Sequence, residues 1–143
     1  ATFMGEPHPE MIASLEEVED LVSRGEGARL VDARAARRYR GEIEPIDPVA
    51  GHIPGARNRP HAHNLTDQGT MRPPDELAAE WKSLLGDLPP EAAISYCGSG
   101  VTACHNLLAL EHAGLAGARL FIPSWSGWSS DAGRRVETGS AGE

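Results

Sequence analysis

Cys97 is the residue of this chain that is best placed to act as a nucleophile. It follows a short apolar run and precedes Gly98 and Gly100, and a helix-forming stretch begins directly after this loop. Unpaired amides at a helix start, with the helix dipole behind them, favour an anion. The two glycines allow successive N–H groups to converge on one atom, here the cysteine sulfur. The pattern predicts a reactive thiolate at Cys97; a small buried cysteine at a strand end is the alternative.

Alternating strands and helices are predicted to hold this loop. Apolar runs predict strands at residues 28–33, 93–96 and 118–122. Helices are predicted from a capping box at Ser14 up to Gly25, from Pro73 up to Gly86, and directly after the loop. This alternation predicts an α/β fold, a parallel sheet with helices on both faces and a site at the carboxyl ends of the strands.

Composition narrows the class of protein. A chain of 143 residues that is 40% hydrophobic fits one globular domain. The net charge of −8 argues against binding nucleic acid. The apolar runs are too short to span a bilayer and the first residues do not read as a signal peptide, so we expect no membrane segment and a cytoplasmic location. Two cysteines make no disulfide framework, and the isolated His61-x-His63 pair is too weak a pattern for a metal site, so no metal or other cofactor is expected.

Three sequence stretches, taken together, resemble one family. The loop CGSGVT at 97–102 resembles the six-residue active-site loop of the rhodanese superfamily, in the form carried by 3-mercaptopyruvate sulfurtransferases. RYRG at 38–41 with GHIPGA at 51–56, and PSWSGW at 123–128, occur in the family's order. The resemblance covers nearly the whole chain, from about residue 11 to residue 139. It implies the rhodanese-like fold.

The resemblance also implies a domain organisation. Residues 1–13 are interpreted as a linker-like segment, 14–139 as a rhodanese domain of the catalytic type, and 140–143 as a frayed tail. In the two-domain members the second domain carries the cysteine. The chain therefore looks like the C-terminal, catalytic domain of a 3-mercaptopyruvate or thiosulfate sulfurtransferase, with an N-terminal rhodanese domain missing from it.

The chemistry that the resemblance implies is sulfur transfer. Cys97 would attack the sulfur of 3-mercaptopyruvate and hold it as a persulfide, with Ser99 as a second catalytic residue, and a thiol, a thioredoxin-like protein or cyanide would remove it. Arg38 is expected to hold the carboxylate of this small anionic donor. The other expected substrate-binding residues lie in the loop: Gly98, Gly100, Val101 and Thr102.

Three alternative functions compete with this one. Thiosulfate is the nearest alternative donor, but residues 98 and 99 are small and neutral, which favours the monoanionic mercaptopyruvate over a dianion. Some family members carry another arginine after a Glu-Pro pair; here Ile46 and Asp47 follow, so that contact is absent or comes from elsewhere. A phosphatase with a C-x5-R loop is disfavoured because Ala103 stands at the arginine position. The third alternative is a non-catalytic module that needs a second domain.

Several other polar or aromatic residues are given structural interpretations. Asp32, at a strand end, is expected to organise a loop, and His52 to be structural. Cys104 is expected in the core, on a helix face shared with Leu107, Leu108 and Val101. For Trp125 and Trp128, lining the pocket beside the cysteine and packing the last helix remain equally open.

Overall fold

The computed structural model describes Gly5 and residues 8–143. Within these residues the strands are β1 (Ile12–Ala13), β2 (Leu30–Asp32), β3 (Arg57–Asn58), β4 (Ile94–Tyr96) and β5 (Arg119–Phe121). The α-helices of the same part are α1 (Leu15–Ser23), α2 (Ala36–Tyr39), α3 (Pro74–Leu85), α4 (Ala103–His112) and α5 (Ser124–Ser129). Short 3-10 helices cover Pro9–Met11, Gly27–Arg29, His61–Asn64 and Pro90–Ala92. None of the helices in the described residues is long and apolar enough to cross a membrane.

All five strands of the described part form one parallel sheet in the order β1-β5-β4-β2-β3. The central strand is β4, and its register sets Tyr96 beside Asp32 of β2. Parallel strands need crossover connections, and the helices between them supply these and cover the sheet. The predicted α/β architecture is confirmed, and β4 delivers Cys97 to the middle of the sheet's carboxyl edge.

Two apolar layers, one on each face of the sheet, hold the helices in place. Leu30 packs in the layer that contains α1, α2 and α5, whereas the next residue, Val31, packs in the layer that contains α3 and α4. This alternation is that of a buried strand. Val18 of α1 and Trp81 of α3 are both fully buried, one in each layer.

The helix starts follow the chemistry that the sequence predicts. Ser14 caps α1, and its Oγ accepts a hydrogen bond of 3.1 Å from the amide of Glu17. Pro74 opens α3, and Gly86, with a φ of +59°, ends it. The short helix α2, which carries Arg38, was not predicted from the sequence because four residues are too few to show a helical period.

Both ends of the described chain differ from the sequence prediction. The segment interpreted as a linker contributes β1, in which Ile12 pairs with Leu120 and Ala13 with Phe121. Residues 1–4, 6 and 7 of that segment lie outside the described residues. The tail interpreted as frayed is bonded, because the Gly142 carbonyl accepts a 2.9 Å hydrogen bond from Asn58. These contacts are made by pieces too short to carry a sequence signal.

The buried face of α4 also differs from the prediction. Its buried residues are Ala103, Asn106, Ala109 and Leu110. This rotation leaves Cys104 exposed, and Leu108 and Val101 are 59% and 76% exposed, so they are not core residues. The cause is Asn106, a polar residue whose amide is satisfied in the interior by the Arg59 carbonyl at 2.9 Å and by Asn64 at 2.7 Å.

His52 is a structural residue, as the sequence predicts. Its ring is 1% exposed and stacks on Tyr39 at a centroid distance of 3.7 Å, and its Nδ1 donates to the Tyr39 carbonyl at 2.7 Å. Burial lowers the pKa of His52 below its usual value; the hydrogen bond to Tyr39 opposes this shift without cancelling it. The ring is therefore neutral in the folded protein at neutral pH.

We expect this histidine to make the fold sensitive to acid. Because the folded-state pKa lies below the unfolded one, the unfolded chain binds the proton more readily. The contribution of His52 to stability is present above about pH 6.5 and is lost as the pH falls through the folded-state pKa. Urea unfolding between pH 7.5 and 5 should show a shallower pH dependence for His52→Asn than for the parent chain. Equal slopes would contradict this account.

Candidate active site

Cys97 lies directly after β4, and its backbone is held by hydrogen bonds to the start of α5. The residue is 1% exposed. Its amide donates to Ser124 Oγ at 3.2 Å, and its carbonyl accepts from the amide of Trp125 at 2.9 Å. The Gly98 carbonyl accepts from Ser126 at 2.9 Å in the same way. The amide and the carbonyl of the cysteine are thus both fixed by the start of α5.

Ser124 is a positioning residue that sequence reasoning missed. Its backbone has a φ of +52°, which a residue with a side chain rarely adopts. Its hydroxyl donates to the Phe121 carbonyl at 2.9 Å while it accepts from Cys97, so it ties the end of β5 to the cysteine. A serine carries no sequence signal for such a conformation. Only its place in the PSWSGW stretch marked this region.

The loop from Gly98 to Thr102 offers a run of free amides beside the cysteine. Among the residues that the structure describes, none accepts a hydrogen bond from the amides of 98–102. Gly100 has a φ of +86°, and a Cβ there would lie 2.9 Å from the Ile122 carbonyl oxygen, so the turn requires glycine. Helix α4 begins immediately afterwards, at Ala103. Free amides at a helix start favour an anion, which is the environment predicted for the cysteine.

The predicted loop residues differ in exposure. Ser99 is exposed and Gly98 and Thr102 are half-buried, whereas Gly100 is buried. Val101 is 76% exposed, so its side chain faces solvent. These residues form one continuous loop between Cys97 and the start of α4.

Arg38 lies against this loop. Its Nη2 and Nη1 atoms are 3.6 and 3.7 Å from the position that a Cβ on Gly98 would occupy, so the guanidinium lies beside this residue at ordinary contact distance. Arg38 is also the partner of Glu44, with Nη2 2.6 Å from Oε1, and its Nη2 lies 3.8 Å from Asp47 Oδ2. The structure thus brings Arg38 to the cysteine loop, but with its charge already engaged.

The Glu44 carboxylate accepts hydrogen bonds from Arg38 and from the backbone that follows it in the chain. Its Oε1 accepts from the amides of Ile46 at 3.1 Å and Asp47 at 3.3 Å. Burial works to raise the pKa of Glu44, but the hydrogen bond from Arg38 and those two amides outweigh it and hold that pKa below its usual value. Glu44 is therefore a carboxylate at neutral pH. No local sequence pattern predicts this pairing.

Asp32 has the organising role that the sequence predicts. It is fully buried and accepts a fork of hydrogen bonds from Arg34, with Nη2 to Oδ2 at 2.6 Å and Nε to Oδ1 at 3.0 Å. Arg34 also donates to the Gly51 carbonyl at 2.7 Å and lies 4.8 Å over the Trp125 ring. Arg34 thus connects Asp32 of β2 with Trp125 of α5, and this connection fixes the position of α5 relative to the sheet.

Trp125 and Trp128 pack the last helix. Both are at most 2% exposed and belong to the apolar layer of α1. Their indole N–H groups donate to the carbonyls of Val49 at 3.0 Å and Arg135 at 2.9 Å. The packing interpretation is therefore the one that the structure supports, and Trp125 contributes to the site through its backbone.

The His61–His105 pair and a cavity beside β3 are separate from the cysteine loop. His61 lies edge-on to His105 at a centroid distance of 5.6 Å, and no three His, Cys, Asp or Glu side chains of the described residues form a group that could hold a metal ion. A cavity of about 570 Å³ lies at the β3 edge, between Arg57, Glu80 and Gly142, and does not include Cys97. Its position separates it from the cysteine loop.

Comparison with known proteins gives one consistent result. A family described as "Rhodanese-like domain" matches residues 14–131. A protein of Pseudomonas aeruginosa named "Probable 3-mercaptopyruvate sulfurtransferase" is 45% identical over 137 residues, which cover 96% of this chain and 48% of that protein. The "Thiosulfate sulfurtransferase" of Cricetulus griseus is 38% identical over 120 residues, covering 80% of this chain and 40% of its own length.

A solved structure agrees with these relatives. The crystal structure of the Tum1 protein from Saccharomyces cerevisiae superimposes with a TM-score of 0.76 at 30% identity, over 92% of this chain and 47% of that one. The chain thus spans less than half the length of each of the three proteins.

Proposed function

Because this chain belongs to the rhodanese-like domain family, we propose that it transfers sulfur from 3-mercaptopyruvate to a thiol or to cyanide through a persulfide on Cys97. The observation that carries the proposal is the cysteine at the end of β4, followed by a loop with a run of free amides against which Arg38 lies. The relative from Pseudomonas aeruginosa, whose name includes this donor, aligns with 96% of the chain.

The reaction has two half-reactions that balance. In the first, the Cys97 thiolate attacks the sulfur of mercaptopyruvate, the carbon–sulfur bond breaks, and its electron pair becomes the enolate of pyruvate. The proton of the donor thiol passes to that enolate, so pyruvate and an anionic cysteine persulfide remain. In the second, the acceptor attacks the outer sulfur and regenerates the thiolate; cyanide leaves as thiocyanate, and a thiol leaves as its persulfide.

The loop and Arg38 have separate roles in this proposal. The amides of 98–102 would stabilise the outer sulfur anion, and the hydroxyls of Ser99 and Thr102 would donate to it or to the leaving enolate. Arg38 would hold the donor carboxylate, sharing its guanidinium with Glu44.

Thiosulfate is the second candidate donor. The thiosulfate sulfurtransferase of Cricetulus griseus supports it, since that relative aligns with 80% of this chain. Sulfite, rather than pyruvate, would then leave on formation of the same persulfide. Side-by-side assays with the two donors distinguish the candidates by their specificity constants.

We further propose a reducing, cytoplasmic setting, in which a small thiol or a thioredoxin-like protein is the acceptor. Both cysteines are free, which agrees with such a compartment. An N-terminal rhodanese domain is proposed as a partner because the chain spans 48% of the Pseudomonas aeruginosa relative.

Arg38→Ala is the experiment that tests the donor site. Loss of a charge-assisted contact to the donor carboxylate should lower kcat/KM for mercaptopyruvate by about 100-fold, mainly through KM. The fold should survive, since Glu44 keeps Arg34 and two amides as partners. Pyruvate release in the presence of cyanide measures the effect.

Arg37→Ala is the matched control. Arg37 is on the same helix, but its side chain is 64% exposed and contacts Glu42. We expect a change below about twofold, because an exposed ion pair contributes little. Equal losses for the two variants would reject Arg38 as the donor contact.

A further inference from the structure

A group of charged side chains behind the cysteine loop carries an excess of negative charge. Arg34 and Arg38 supply two guanidinium groups, and three carboxylates pair with them or face them. The carboxylates belong to Asp32, Glu44 and Asp47. Arg38, the residue that reaches the loop, is therefore not a surplus positive charge.

Asp47 is the unusual member of this group. Its side chain is 10% exposed, and its Oδ2 lies 3.8 Å from Arg38 Nη2, beyond hydrogen-bonding distance. In the described part of the chain this buried oxygen has no hydrogen-bond partner. Glu44 already makes the direct bond to Arg38 at 2.6 Å. The Asp47 carboxylate is thus not neutralised by a direct hydrogen bond, although it lies close to the Arg38 guanidinium and is poorly screened by solvent.

We propose that Asp47 is a specificity-determining residue whose carboxylate selects against dianionic sulfur donors and in favour of monoanionic ones. The inference rests on the proposed function, because it concerns the donor that meets Cys97 and Arg38. Asp47 acts through its field and not through a contact with the donor.

The charge of the donor makes this selection measurable. We take roughly 8 Å between the Asp47 carboxylate and the donor, and an effective dielectric constant of about 40. The repulsion from one negative charge then lowers the rate constant for reaction with a monoanion about fivefold. The repulsive free energy is twice as large for a dianion, so the rate constant for reaction with thiosulfate is lowered about 25-fold. Removing the charge should therefore help thiosulfate more than mercaptopyruvate.

The experiment compares Asp47→Asn and Asp47→Ser with the parent chain. The rate of Cys97 persulfide formation is measured with each donor at low ionic strength and pH 7, by mass spectrometry after rapid quenching. Two neutral replacements of different shape separate charge from packing, and a thermal unfolding transition confirms that each variant is folded. Asp87→Asn, an exposed aspartate outside this charge cluster, controls for the change in net charge.

We expect both neutral variants to raise the thiosulfate to mercaptopyruvate rate ratio by about fivefold, and Asp87→Asn to leave it within twofold. An unchanged ratio in the two Asp47 variants would overturn the inference, even if both rates change together. Absence of persulfide from either donor in the parent chain would instead reject the proposed function, so the two failures are distinguishable.

Discussion

Cys97→Ser is expected to abolish sulfur transfer, with thiocyanate formation from mercaptopyruvate and cyanide falling by at least about a thousandfold. A serine hydroxyl at this position has the same backbone contacts, but it is not ionised at neutral pH and forms no persulfide. The loss should appear in kcat, because no covalent intermediate forms. Initial rates at saturating donor measure it.

Cys104→Ser provides the control for this result. Cys104 is exposed on α4, and its thiol donates to the Gly100 carbonyl at 3.4 Å, its one hydrogen bond within the described residues. A hydroxyl replaces that contact, so activity should stay within about twofold of the parent chain. If the two serine variants lost activity equally, the assignment of Cys97 as the nucleophile would be wrong.

Asp32→Asn is expected to lower the free energy of unfolding by about 3 to 5 kcal/mol. The Asp32–Arg34 pair is buried, with side chains 0% and 1% exposed, and removing one carboxylate leaves the guanidinium without its main partner. Glu44 Oε2 lies 3.2 Å from Arg34 Nη1 and still pairs with the guanidinium in the variant, so we expect a loss at the lower end of this range. The shift in the urea midpoint measures it.

Asp20→Asn makes the same chemical change at the surface. Asp20 pairs with Arg24 at 3.0 Å, but the two side chains are 61% and 52% exposed. Its loss should cost less than about 1 kcal/mol. Similar losses for the two variants would show that burial of the Asp32 pair does not contribute to stability as argued here.

Local sequence signals predicted the framework well. Gly100 in the cysteine loop, the cap at Ser14 and Gly86 after α3 each specify a conformation through their own chemistry, and the structure confirms the conformations predicted for them, whereas Gly98 does not lie in the left-handed region. The parallel order of the sheet followed from the alternation of apolar strands with amphipathic helices. These features depend on neighbours within a few residues.

Polar contacts between residues far apart in the chain could not be predicted from the sequence. The bond from Cys97 to Ser124 joins residues 27 apart, and the pairing of Arg38 with Glu44 depends on how the segment after α2 turns back. The face predicted for α4 from Cys104 and its apolar neighbours is wrong, because the buried face includes Asn106, whose polar partners lie far away in the sequence. Hydrophobic periodicity carries no information about such partners.

Arg38 shows how the two kinds of information combine. Six arginines lie between residues 34 and 59, and composition alone does not rank them. Resemblance to the family selected Arg38, and the structure places its guanidinium against Gly98. The same structure shows Arg34 buried below the site, a role that the sequence did not distinguish from that of its neighbours.

The most direct test of the account is the intact mass of the purified chain before and after brief exposure to 3-mercaptopyruvate. The account predicts the gain of one sulfur atom, located on Cys97 by peptide mapping and removed by cyanide with release of thiocyanate. A chain that gains no sulfur from mercaptopyruvate or thiosulfate, or gains it on Cys104, would contradict the claim that Cys97 and its loop form the sulfur-transfer site.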